Sequence, residues 1–127
     1  MKITIETIPH KEQRYETVGD WQFLGDDLTI RVSGMDHVAM KSEQSYYEFL
    51  IGIHELIEAV LCKAYGITQE QVDYFDMSHP DAEEPGALID APYYRQHLLA
   101  SVIEHILADE LGIDWNEYEK ATLDMDM

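Results

Sequence analysis

The chain has 127 residues, enough for one domain with a real core and no need of disulfide staples. Its apolar share of 46% and charged share of 27% are those of a globular domain, but 26 acidic against eight basic residues give a net charge of −18. That balance argues against DNA or RNA binding, which needs clustered Lys and Arg, and no apolar run reaches membrane-spanning length. The N-terminus has no basic stretch followed by an apolar one, so the cytoplasm is the expected location. The lone Cys62 excludes an internal disulfide and reads as a small structural residue. High negative charge keeps the chain soluble and leaves a basic protein partner as an expectation.

From Lys2 to Ile8 apolar and polar residues alternate, which predicts a half-buried strand ended near Pro9. His10 to Glu16 is polar and reads as a loop. A second strand is expected over Thr17–Leu24, with Val18, Trp21 and Phe23. Gly25-Asp26-Asp27 then turns the chain into a third, where Leu28, Ile30 and Val32 alternate with Thr29, Arg31 and Ser33. Residues 1–33 thus predict a small antiparallel sheet, a hairpin with the first strand beside it. Gly34-Met35-Asp36 ends it.

Residues 42–121 predict the helical part of the same domain. A capping box of Ser45 and Glu48 opens a long helix, or Ser42 starts it a turn earlier. Tyr46, Leu50, Ile53, Ile57, Val60, Leu61 and Ala64 form its expected buried face, and Gly66 its stop. Thr68 with Gln71 caps a short helix carrying Val72, Tyr74 and Phe75. Residues 78–91 hold Pro80, Pro85, Gly86 and several acids and read as an exposed loop, long for a compact domain. Asp90 before Pro92 suggests the start of a second long helix, with Leu98, Leu99, Val102, Ile103 and Ile106 as its buried face and Gly112 its end. Asp114 with Glu117 caps a last short helix, and the tail after Ala121 is expected to fray. The fold class is therefore α+β: about three strands packed against two long and two short helices.

One segment echoes another. Ile57-Glu58 through Gly66-Ile67-Thr68 lines up with Ile103-Glu104 through Gly112-Ile113-Asp114, each a helix, a glycine stop and a cap. Shared helix-ending grammar accounts for this better than duplication does. On either account Glu58 and Glu104 take equivalent places in two helices expected to pack together.

The chemistry centres on His54-Glu55-Leu56-Ile57-Glu58. In a helix, His54 and Glu58 lie one turn apart on the same face, and Glu55 falls about 100° round from His54. Both polar residues fall within a mainly apolar arc with Leu50, Leu61, Tyr47 and Ile51, where an uncompensated carboxylate is costly. It must be paired, protonated or bound to metal. On the second helix His97 and Glu104 share a stripe with the small Ser101 and Ala108. Two facing helices can then hold a divalent ion between His54, Glu58, His97 and Glu104, with Asp76 or His79 as replacement ligands. Zinc is the first expectation, with manganese or iron as alternatives, and Glu55 is the expected base for a metal-bound water. A competing account makes His54–Glu58 a salt-linked pair and His97 an exposed imidazole. His105, on another stripe, reads as a surface or packing residue. No phosphate-cradling glycine loop or nucleophile elbow is present.

In four stretches the chain resembles a group of small uncharacterised proteins of phages and prophages: His54-Glu55-Leu56-Ile57-Glu58-Ala59, Val72-Asp73-Tyr74-Phe75-Asp76, Ala91-Pro92-Tyr93 with His97, and Gly112-Ile113-Asp114-Trp115 with Tyr118. They span the C-terminal two-thirds and imply a host-cytoplasmic setting but no mechanism. The helix motif alone also resembles that of the zincin metallopeptidases. There His54 matches the first ligand and Glu55 the catalytic glutamate, while Glu58 stands where a second histidine belongs. A second anionic ligand makes the metal a weaker Lewis acid, which counts against protease chemistry. Two functions follow as expectations: a metal-dependent hydrolase acting on a peptide, amide or phosphoester, or a non-enzymatic acidic protein that covers a basic host surface. A variant of the first, an all-helical nucleotide pyrophosphohydrolase using Glu55-x-x-Glu58, fits the strands and histidines poorly.

Overall fold

The computed structural model describes residues 1–125. Three strands, β1 (Ile3–Ile8), β2 (Gly19–Leu24) and β3 (Asp27–Ser33), are followed by four helices: α1 (Lys41–Ala64), α2 (Gln69–Ser78), α3 (Tyr94–Glu110) and α4 (Trp115–Leu123). The α+β class and the two long and two short helices are as the patterning implies.

The sheet order is β1-β3-β2. β2 and β3 form the expected antiparallel hairpin, with Trp21 opposite Ile30 and Gly25 in the left-handed region at the turn. β1 instead pairs in parallel with β3, Ile5 beside Ile30, so the sheet is mixed. The reason is the connection over residues 9–18, which carries the chain past the end of β3 and returns it two positions away. Alternation along a strand fixes which side is buried but carries no information on strand direction.

Leu28, Ile30 and Val32 of β3 are buried against α1, which lies across β2 and β3. Gly52 lets the two layers approach: a Cβ there would sit 3.3 Å from the Ile5 side chain and 3.5 Å from that of Val32. On its other side α1 packs along α3, and the pairs His54–Glu104 and Glu58–His97 show the two helices to be antiparallel. The layers are thus sheet, α1 and α3, with α1 in the middle.

The helix boundaries correct three expectations. α1 starts at Lys41 after Met40, with no side-chain cap; Ser45 lies inside it, and Glu48 accepts the Met35 amide at 2.9 Å instead of closing a capping box. α3 starts at Tyr94, since Ala91 and Tyr93 are drawn into the core and Asp90 caps nothing. Leu123 ends α4, and Met125 packs on the core, so the chain stays ordered past Ala121; residues 126–127 lie outside the described part. The Thr68–Gln71 capping box and the Asp114 cap on the Glu117 amide form as expected.

A larger correction concerns the faces of the long helices. On α3 the buried residues are Gln96, Ala100, Glu104 and Ala108, whereas Leu98, Leu99, Val102, Ile103 and Ile106 are exposed. On α1 Tyr47, Leu50, Ile51, His54, Glu58 and Cys62 are buried, and Tyr46, Val60 and Ala64 of the expected core face are exposed. Small residues and site residues occupy the α1–α3 contact, and the strongest apolar stripe of α3 faces outward. No helix among the described residues is long and apolar enough to cross a membrane.

Candidate metal centre

α1 and α3 bring His54, Glu58 and His97 to one point. His54 Nε2, His97 Nδ1 and Glu58 Oε2 lie 3.2 Å, 3.2 Å and 2.8 Å from one another. Donors bound to one tetrahedral zinc at 2.0–2.1 Å are about 3.3 Å apart, so a divalent ion fits these three with little movement. All three side chains are buried or nearly so.

The outward atom of each of these groups faces another residue. His54 Nδ1 lies 2.8 Å from Glu104 Oε1, and His97 Nε2 lies 3.5 Å from Glu84 Oε1. The Trp21 indole N–H donates to Glu58 Oε1 at 3.0 Å. The Tyr118 hydroxyl donates to the second oxygen of Glu104, so that carboxylate is held from two sides. Glu104 and Glu84 each favour a proton on the outward nitrogen they face, which leaves the lone pair of the inward nitrogen directed at the cluster. Two such lone pairs and a carboxylate oxygen then converge, an arrangement that requires a cation or added protons between them.

In the ion-free protein, protons fill that role. Burial alone favours neutral imidazole, but the hydrogen bonds to Glu104 and Glu58 outweigh it and raise His54 to about 11. His97 is raised to about 9 by Glu58 and Glu84 against the same burial. Glu58, which burial alone would raise, is brought down to about 2 by its bonds to the two imidazoles. Burial and Glu104 keep the Tyr118 phenol protonated.

The sequence-designated residues are not all equivalent here. His54, Glu58 and His97 converge as expected. Glu104 stands behind His54, on the nitrogen that faces away from the cluster. Asp76 is engaged elsewhere, accepting the Tyr93 hydroxyl at 2.5 Å, and burial raises its carboxyl to about 6. His79 stacks on Phe75 and lies 2.8 Å from that residue's carbonyl, at the end of α2. Glu55 lines the same cleft as the cluster, pressed against β2: a Cβ on Gly19 would come within 2.7 Å of its carboxylate. Burial and the neighbouring Glu58 charge raise Glu55 well above the ordinary carboxylate range. His105 stacks on Trp115 with ring centroids 4.1 Å apart, a packing role.

Trp21, Glu84, Gly86 and Tyr118 were not visible as site residues in the sequence. Trp21 reads as strand core and Tyr118 as helix packing, and Glu84 is one acid among several in a loop. Gly86 lies in a 3-10 turn, Pro85–Ala87, and both Pro85 and Gly86 are buried, so the middle of that loop is a cover over the cluster. A Cβ on Gly86 would meet the His97 ring at 2.7 Å and that of Tyr93 at 2.6 Å. The only sequence signal for this is the Pro-Gly pair in a loop longer than a connection needs.

A cleft of about 550 Å³ opens onto the cluster. Its walls include Glu55, Asp20, Asp73, Asp76, Glu83 and Glu84, and no Lys or Arg among the described residues. Arg14, close by, is already held by Asp20 at 2.6 Å and faces Asp73. Comparison of the chain with known protein families, with curated proteins and with solved structures found no match.

Proposed function

We propose that the protein is a metal-dependent hydrolase in which His54, Glu58 and His97 hold a divalent ion and Glu55 accepts a proton from water bound to it. The observation that carries this reading is the convergence of three ligand atoms within 3.2 Å, with the outer atoms of His54 and Glu58 hydrogen-bonded to the Glu104 carboxylate and the Trp21 indole N–H and Glu84 facing that of His97. Two imidazoles and one carboxylate are the protein ligands of known hydrolytic zinc sites, which keep a further position for water. Iron and manganese accept the same donors, so zinc is favoured by the hydrolytic reading rather than by the donor set. Glu55 supports the role of base because burial has made it more basic than a solvated carboxylate.

The cleft narrows the substrate. Walls carrying many carboxylates and, among the described residues, no Lys or Arg repel phosphates and suit neutral or cationic groups. A peptide or amide, particularly one with a free amine or basic side chain, is therefore favoured over a phosphoester.

Protein reconstituted with one zinc should hydrolyse members of a panel of aminoacyl arylamides and short basic peptides and leave aryl phosphates untouched. Glu55→Gln should keep the metal and lose about 10²–10⁴-fold in rate. If Glu55→Gln retains the full rate on every cleaved substrate, Glu55 is not the base. If no amide is cleaved although zinc is bound, the ion is structural. The protein would then be better described as an acidic binding protein, a reading for which the −18 charge is the support.

A further inference from the structure

The outer face of α3 is apolar and uncovered. Leu98, Leu99, Val102, Ile103 and Ile106 are 48%, 37%, 47%, 38% and 61% exposed, on a helix whose other side is buried against α1. Their spacing of three and four residues makes one stripe. Tyr46, Phe49 and Val60 of α1 are exposed as well. A run of large apolar residues this long on so highly charged a chain calls for an occupant.

The charges at the ends of the stripe indicate which one. Arg95 stands exposed at its N-terminal end and Asp109 at its C-terminal end, each seven residues from Val102. Among the described residues Arg95 makes no ion pair, although it is one of only eight cations in the chain. A two-fold axis through Val102 sets a second α3 antiparallel to the first. Leu98 then faces Ile106 of the other copy, Val102 faces Val102, and Arg95 faces Asp109 at both ends. At 1.5 Å per residue the charges lie about 10 Å from the axis, near enough to meet across a crossing of about 20°. A basic partner would find an arginine at one end of this stripe and no acid on it before Asp109, so the complementarity favours self-association.

We infer that the protein forms a two-fold symmetric dimer through the outer faces of α3, centred on Val102 and closed at each end by Arg95 and Asp109. The metal cluster lies on the opposite side of α3, where Glu104 is buried, so the dimer and the proposed chemistry are independent.

Sedimentation equilibrium from about 1 to 100 µM tests this. The wild-type chain should have twice the chain mass, with tighter association at higher salt because screening weakens the repulsion of two copies at −18 each. Val102→Glu should weaken association at least about 100-fold while leaving circular dichroism and metal content unchanged. Arg95→Glu should weaken it as well, and adding Asp109→Arg should restore it, a rescue that misfolding cannot imitate. A monomer at about 100 µM in high salt, a dimer indifferent to Val102→Glu, or no rescue by the double charge reversal would each overturn the inference. So would a monomer that binds oligolysine through this face, which would identify a basic partner instead.

Discussion

The two faces of α3 follow opposite rules. Its inner face buries Gln96, Ala100, Glu104 and Ala108 and brings His97 to the cluster, while its outer face exposes Leu98, Val102 and Ile106. Burial of carboxylates in the α1–α3 contact is stable only because each finds a partner: Glu104 has His54 and Tyr118, and Glu58 of α1 has both imidazoles and Trp21. The small alanines let α3 approach α1 closely enough for those bonds to form. The outer side has no such constraint, and its apolar residues remain available to another surface. In a domain of this size hydrophobicity and burial can therefore part company when a helix carries a site on the side that faces its neighbour.

Substitutions on the two sides should differ sharply. His54→Ala leaves Glu104 buried without its cation and Glu58 with His97 alone, and should destabilise the fold by about 3–5 kcal/mol and abolish metal binding. Leu98→Ala on the outer side should change monomer stability by no more than about 0.5 kcal/mol in thermal or urea unfolding. Equal losses at both positions would erase the distinction between the faces.

Glu104→Gln keeps the shape of the inner face but weakens its hold on the His54 Nδ1 proton. Metal affinity should fall about 10–100-fold with circular dichroism unchanged, as for an outer partner of a ligating histidine. Full loss of the ion would instead place Glu104 among the ligands. Gly86→Ala tests the cover in the same way: the added methyl has to displace the ring of His97 or Tyr93, so affinity should fall by a smaller factor in the same metal titration.

Asp76 gives a small effect with a pH signature. Its folded carboxyl is raised to about 6 from an ordinary 3.8, so the folded state binds the proton more tightly than the unfolded one. Asp76 therefore costs nothing below pH 4, and its penalty grows as pH rises to about 6 and then levels off. Asp76→Asn, which still accepts the Tyr93 hydroxyl, should raise stability by about 1 kcal/mol at pH 7 and not at pH 4. A gain that is the same at both pH values would show that ionisation of Asp76 is not its source.

Much of this architecture was legible in the residues, for identifiable reasons. Strand alternation, the Gly25 turn and the Thr68 and Asp114 caps are local signals, and each produced its element. Strand direction depends on where a connection lands, which is why the parallel pairing of β1 was not readable. For the site, the one-turn spacing of His54 and Glu58 and the shared stripe of His97 and Glu104 pointed to the right pair of helices. What spacing could not supply was depth. Glu104 and His97 share a stripe, yet one stands behind His54 and the other beside it, a distinction made by how α1 and α3 are set against each other. Trp21 and Glu84 reach the cluster from a strand and a loop distant in sequence, and nothing local marks them. The buried faces of α1 and α3 differ from the periodic ones because periodicity identifies the apolar side of a helix, not whether that side meets its own chain.

Whether His54, Glu58 and His97 hold a metal ion is read most directly from the metal content of the purified protein. Elemental analysis after purification without added metal, and again after dialysis against zinc, manganese or iron(II), should find close to one equivalent of one of these metals in the wild type. None should remain in His54→Ala. Binding should release protons and tighten as pH rises toward 9, because the ion displaces those on His54 and His97. A folded wild-type protein that takes up no metal from any of the three solutions at pH 8 would contradict the account.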